Sequence, residues 1–219
     1  MPTSLLKSQR TAALVPVLAS ALLSGCATGP AATASGTWQD KAALSQPFAR
    51  VIVVGVSADL NQRCRFERVL ASRIDGAATK AVASCDVVAQ KDPLTRASIE
   101  AVVAELKADG VLATTLVSFE WDTQTGGSRD TRGSRTYKPT DAGWDVYGVP
   151  VVYGEVQNAR AITTMEGEAS VVTKAWSTRG PTLAYTMNST VRNFEASDQG
   201  LITLVGPMVE RLKRDGVIR

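Results

Sequence analysis

The sequence predicts an α/β fold: a three-layer-like βαβαβ core with a mixed sheet, an antiparallel hairpin and a C-terminal helix. Three observations lead there. Residues 51–56 (VIVVGV) and 111–117 (VLATTLV) are continuous apolar runs, the pattern of strands covered on both faces. Stretches with helical spacing lie between and after them, so strand and helix alternate with short joints, which gives a parallel sheet with right-handed crossovers. Residues 163–177 and 182–191 then read as two strands joined by Arg179-Gly180-Pro181, a hairpin.

After the first strand, Asp59 and Asn61 offer helix caps, and Phe66, Val69, Leu70 and Ile74 fall on one helical face, with Gly76 as a left-handed stop. A second strand is expected over 82–88. Asp92-Pro93 opens a helix whose stripe is Ile99, Val102, Val103 and Leu106, closed by Asp109-Gly110. Residues 120–158 form a long polar and aromatic loop. The last helix starts near Ser197 with Leu201, Val205, Met208 and Leu212 as its stripe, and Pro207 should bend it or break a hydrogen bond.

At 219 residues and 44% hydrophobic, the chain can fill a core. Its net charge of +3 is no footprint for nucleic acid. It contains no histidine, which excludes Ser-His-Asp and Cys-His catalysis and His-ligated metals. No cofactor or metal site is expected.

Residues 1–25 read as a signal peptide. Lys7 and Arg10 precede an apolar run over 11–23, too short to span a bilayer. The run ends in Leu23-Ser24-Gly25-Cys26, which resembles a lipoprotein lipobox. Lipidation of Cys26 would give a stable membrane anchor, because two or more acyl chains hold where one binds marginally. Ala27 stands where an aspartate commonly retains such proteins in the inner membrane, so the expected location is the outer membrane, facing the periplasm. Cleavage leaves 22 basic residues against 21 acidic ones. Residues 26–47, rich in Ala, Thr, Ser and Gly, read as a flexible tether to a single domain over 48–219.

With Cys26 lipidated, Cys64 and Cys85 remain. An even pair in an exported chain reads as one disulfide, closing a loop worth about 3 kcal/mol. Two separately buried thiols are the other reading.

The order of lipobox, tether, strand, helix bearing Arg63-x-x-Phe66-Glu67, strand, helix, strand, hairpin and closing helix over 209–218 is similar to the small α/β domain of bacterial envelope lipoproteins. That group includes the penicillin-binding-protein activator lipoprotein, the curli channel subunit and the amino-terminal domain of the Tol translocation protein. The resemblance covers about 48–219 and implies a binding or accessory role, with no catalytic residue to carry over. Cys64 and Cys85 are not general to the group, which points to a narrower family. Residues 163–191 alternate poorly and hold Glu166, Glu168, Lys174 and Arg179, which argues against a barrel segment.

Three features carry candidate chemistry. Arg63 and Glu67, at i and i+4, read as a helix-surface ion pair worth about 0.3–0.5 kcal/mol, with a ligand-binding pair at the top of the sheet as the alternative. Glu166 and Glu168 share a strand face, the arrangement behind an alternative reading as a carboxylate-dependent glycan hydrolase. Residues 119–153 hold six of the twelve aromatic residues beside four basic ones. Among these, Trp121, Arg129, Arg132, Arg135, Tyr137, Trp144 and Tyr147 are the candidate partner-binding residues, because Tyr, Trp and Arg dominate interface hot spots. The leading expectation is a non-enzymatic envelope lipoprotein that binds an envelope protein or a glycan.

Overall fold

The computed structural model describes residues 29–56, 60–88, 94–125, 128–136, 145–146, 149–150, 164–194 and 197–219. In chain order these form β1 (Ala31–Trp38), β2 (Arg50–Val56), α1 (Leu60–Ile74), β3 (Lys80–Ala83), α2 (Ser84–Val87), α3 (Arg96–Leu106), β4 (Gly110–Thr125), β5 (Ser128–Thr136), β6 (Asp145–Val146), β7 (Val149–Pro150), β8 (Thr164–Ser177), β9 (Thr182–Phe194) and α4 (Ser197–Arg214). The main sheet has seven strands in the order β1-β9-β8-β4-β2-β3, with β5 on the outer half of β4, while β6 and β7 make a separate ribbon. The sheet is mixed. β2 runs parallel to β3 and β4, and β4, β8, β9 and β1 pair antiparallel.

The uninterrupted β-branched run of β2 is explained by burial on both sides. Val51 and Val53 join the core under α1 and α4, whereas Ile52 and Val54 join a second core with Ile99 and Val102 of α3. Successive strand side chains point to opposite faces, so only a strand between two helical layers needs every position apolar. α4 closes its half of the first core with Leu204, Met208 and Leu212 against Tyr185, Met187 and Val191. The helix continues through Pro207, which removes one internal hydrogen bond without ending it. Gly216, at φ 75°, then reverses the chain, so that Val217 and Ile218 are buried and the Val217 carbonyl accepts from the Phe48 N–H at 2.9 Å.

Several expectations need correction. Residues 31–38 are not tether. They form edge strand β1, in register with β9 from Ala31 opposite Arg192 to Trp38 opposite Tyr185. Even-numbered residues Ala32, Ala34 and Trp38 pack toward the core and odd-numbered ones are exposed, an alternation muted because most of its apolar members are alanine. The second strand is only four residues long and ends at Ala83, so Cys85 lies in the one-turn helix α2 rather than in a strand. α3 starts later than Asp92-Pro93 suggests, behind a capping box of Thr95 and Ser98.

The expected loop over 120–158 begins as a ribbon. β4 runs on to Thr125 and pairs with β5 from Ser118 opposite Thr136 to Thr125 opposite Ser128. β8 flanks the other side of β4 almost throughout, so β4, β5 and β8 form an arm extending past the end of β2. Gly126-Gly127 between two β-prone stretches is a hairpin signal, but strands this polar carry no apolar period to announce them.

Candidate functional site

The carboxyl ends of β2 and β3 and the first turns of α1 meet around one buried acid. β2 leads through α1 to β3 on one side of itself, and the chain then returns through α3 to β4 on the other, so the strand order reverses at β2 while all three strands stay parallel. In open α/β sheets that reversal opens a crevice at the strand ends. Here Glu67, from the third turn of α1, points into it and is fully buried.

Its carboxylate accepts from the Gly55 N–H at 2.8 Å and from the Cys85 N–H at 2.7 Å. The Ser84 hydroxyl lies 2.8 Å from each carboxylate oxygen, bridging the two. Arg63 Nε stands 3.6 Å from Oε1, an ion pair beyond hydrogen-bond range. Glu67 therefore ties β2, α1 and α2 together and caps α2, whose preceding residue Ala83 supplies no side-chain cap. Burial pushes the Glu67 carboxyl above its ordinary value, against the opposing pull of the Gly55, Cys85 and Ser84 hydrogen bonds and of Arg63. The i, i+4 pair is thus no solvated surface pair. It is the centre of a buried joint, and the sequence conceals this because Ser84 and Gly55 become partners only through the crossover.

Cys64 and Cys85 belong to the same joint. Both are buried free thiols in this structure, without the bond that the cysteine count predicts. The topology nevertheless brings them together: Cys64 precedes Glu67 by one turn of α1, the Cys85 N–H donates to the Glu67 carboxylate, and both cysteines are buried in the same core cluster. Desolvation, followed by Cys64 and Glu67, holds the Cys85 thiol well above the ordinary cysteine range. On the outer surface of the joint, Arg68 of α1 donates to Asp86 of α2 at 2.8 Å.

A small crevice beside this joint is lined by Gly55, Arg63, Phe66, Thr114, Leu116 and Leu201. At the opposite end of the sheet, a hollow of about 310 Å³ lies between residues 42–48 and the β8–β9 turn, with Asp109 and Arg179 on its wall. Asp109 is already committed there, accepting from the Ala49 and Arg50 N–H groups at 3.0 and 2.8 Å.

The structure separates the other candidates. Glu168 receives two hydrogen bonds from Arg192, at 2.9 and 3.2 Å, and stands opposite Glu120 in register, while Glu166 stands opposite Asp122. An acid held by two hydrogen bonds in an ion pair lacks the freedom of a general acid. Trp121, Arg129, Arg132 and Arg135 all lie on the arm, where Trp121 is opposite Gly133, Asp122 opposite Arg132 and Phe119 opposite Arg135. Phe119 packs on Phe194 with ring centroids 5.7 Å apart, which secures the base of the arm to β9. Cys26, Tyr137, Trp144 and Tyr147 lie outside the described residues.

A second polar cluster, absent from the sequence reading, fastens β1. The Tyr185 hydroxyl donates to Asp215, Arg211 Nε donates to the same carboxylate at 2.8 Å, and the Arg211 guanidinium reaches the Gly36 carbonyl at 3.4 Å. Burial and the Asp215 hydrogen bond push the Tyr185 hydroxyl up to about 12. Among the described residues no helix is long and apolar enough to cross a membrane.

No protein-family profile matches the chain, and no curated protein does. Among solved structures it is similar to a dodecamer of a point variant of PelC from Paraburkholderia phytofirmans, at 13% identity and a TM-score of 0.46, covering 83% of this chain and 96% of that one. A second PelC dodecamer from the same organism is 14% identical with a TM-score of 0.44, covering 86% of this chain and 100% of that one. Lipoprotein GNA1162 from Neisseria meningitidis is 16% identical with a TM-score of 0.39, covering 76% of this chain and 99% of that one.

Proposed function

We propose that this chain is a non-enzymatic accessory lipoprotein of the bacterial envelope, anchored by Cys26 to the outer membrane on its periplasmic face. In this reading it engages an envelope protein through the arm of β4 and β5. The observation that carries the proposal is the arm itself. β4 continues past the end of β2, and the nine-residue strand β5 laid along that extension holds Arg129, Arg132 and Arg135. A sheet that outruns its own helical layers builds a surface the core does not need, and arginine is enriched where protein interfaces concentrate their binding energy. The anchor rests on the order of basic start, short apolar run and Leu23-Ser24-Gly25-Cys26.

Crosslinking in the native envelope tests both parts. The natural chain should fractionate with the outer membrane and crosslink to a defined protein. Cys26→Ser should release the chain from that membrane fraction. Changing Arg129, Arg132 and Arg135 together to alanine should abolish the crosslink while the thermal transition stays intact. Retention of the Cys26→Ser variant on the membrane, an unchanged crosslink in the triple variant, or crosslinking to glycan alone would overturn the reading.

A further inference from the structure

We propose that Cys64, Cys85 and Glu67 form one oxidisable site, in which the two thiols close to a disulfide by exchange with a small or protein disulfide while Glu67 accepts the Cys85 proton. The geometry is already assembled. Cys64 lies one turn before Glu67 on α1, Cys85 is the second residue of α2 and donates its N–H to the Glu67 carboxylate at 2.7 Å, and both cysteines are buried in one core cluster. Two cysteines buried beside one carboxylate, one of them on a single-turn helix, can reach bonding distance by a local movement of that helix. A thiol becomes a nucleophile only as its thiolate, and in an enclosed site the proton needs a local acceptor. Glu67 is the buried carboxylate of the joint, and the charged groups on its outer side are Arg68 of α1 and Asp86 of α2, paired with each other at 2.8 Å. The groups facing Glu67 are Arg63 on its own helix, the Ser84 hydroxyl, the Cys85 thiol and N–H from α2, and the Gly55 N–H from β2.

The exchange balances without further redox partners. The Cys64 sulfur attacks the external disulfide, forming a mixed disulfide, and the Cys64 proton passes to the departing external thiolate, which leaves as one external thiol. Cys85 passes its proton to Glu67 and attacks the Cys64 sulfur, expelling the second external thiolate, which takes up that proton. Two protein thiols are oxidised and one external disulfide is reduced to two thiols. With both cysteines almost fully buried, the step needs α2 to open, and α2 is a single turn held largely by Glu67 itself.

The test uses the chain carrying Cys26→Ser, so that Cys64 and Cys85 are its two cysteines, reduced and then placed in oxidised glutathione, with thiol labelling and intact mass as readouts. The expected product has lost both label sites and two hydrogens and carries no glutathione. Cys85→Ser should accumulate the glutathione adduct on Cys64. Glu67→Gln should close about tenfold more slowly near neutral pH, with a flattened pH profile, whereas Ser84→Ala, which keeps the carboxylate, should stay within about twofold of the Cys26→Ser chain. Should Glu67→Gln not fold, Glu67→Asp replaces it and is expected to close more slowly while keeping a pH-dependent rate. Persistent free thiols, stable adducts on both cysteines, or a closure rate indifferent to the Glu67 substitution would overturn the proposal.

Discussion

Glu67 shows what a single side chain contributes when it is buried but not free. Its carboxylate is satisfied by the Gly55, Ser84 and Cys85 donors, yet desolvation outweighs them and its folded proton affinity is raised from the ordinary 4.5. The sign follows from linkage. A raised acid binds its proton more tightly in the folded than in the unfolded state, so its share of the stability falls as pH rises from about 4.5 through the folded value. Glu67→Gln should therefore flatten that part of the stability–pH curve and cost about 1–3 kcal/mol at low pH, since its amide leaves a buried N–H donor unmatched. Urea unfolding of both proteins across acidic to neutral pH checks this. An unchanged slope would assign the pH dependence elsewhere. The Arg63 and Glu67 pairing was legible from their spacing, but burial was not. Nothing local distinguishes a surface i, i+4 pair from one roofed by Ser84 and Cys85, residues that arrive 17 and 18 positions later.

Strand β1 is held by a cluster that works only because one of its residues is glycine. A Cβ at Gly36 would lie 1.5 Å from the Tyr185 hydroxyl oxygen and 2.9 Å from the Asp215 carboxylate. The tyrosine crosses the strand at that gap to reach Asp215, and Trp38 meets the same ring edge-on at 5.2 Å. Gly36→Ala must displace the ring and break its hydrogen bond, so it should cost about 2–4 kcal/mol and loosen β1 from β9. Gly206, with nothing within 4 Å of an added Cβ and a place inside α4, is the contrast: alanine there should stabilise by up to about 1 kcal/mol. Thermal unfolding, with proteolysis in the 29–40 region as the local readout, separates the two. Equal behaviour of the variants would mean that the Tyr185 crossing does not fasten the strand. The sequence reading missed this element because alternating alanine, threonine and glycine resembles a linker, and only docking against α4 and β9 gives such small side chains a buried face.

Across the whole molecule, the sheet divides into a centre covered by helices on both faces and margins covered on one. β2 and the inner half of β4 contribute Val51 to Val54 and Val111 to Ala113, all with no exposed surface, to the two cores. Their amides should exchange at least about a hundredfold more slowly than those of β1 and the outer half of β4, because local opening at the margins uncovers far less apolar area. Hydrogen exchange read by mass spectrometry checks the gradient, and uniform protection would contradict the two-core layering. By itself the sequence determined the α/β class, the parallel core, the β8–β9 hairpin and the closing helix, because the β-branched runs and helical stripes of those elements record their own burial. It also singled out Cys64 and Cys85 as a pair, which the fold buries in one joint as free thiols. Only the tertiary structure decided that β1 completes the sheet, that β4 and β5 extend it as an arm, and that Glu67 binds two helices and a strand at one point. Those features rest on small or polar residues, whose burial and pairing are set by distant partners and leave no period in the chain.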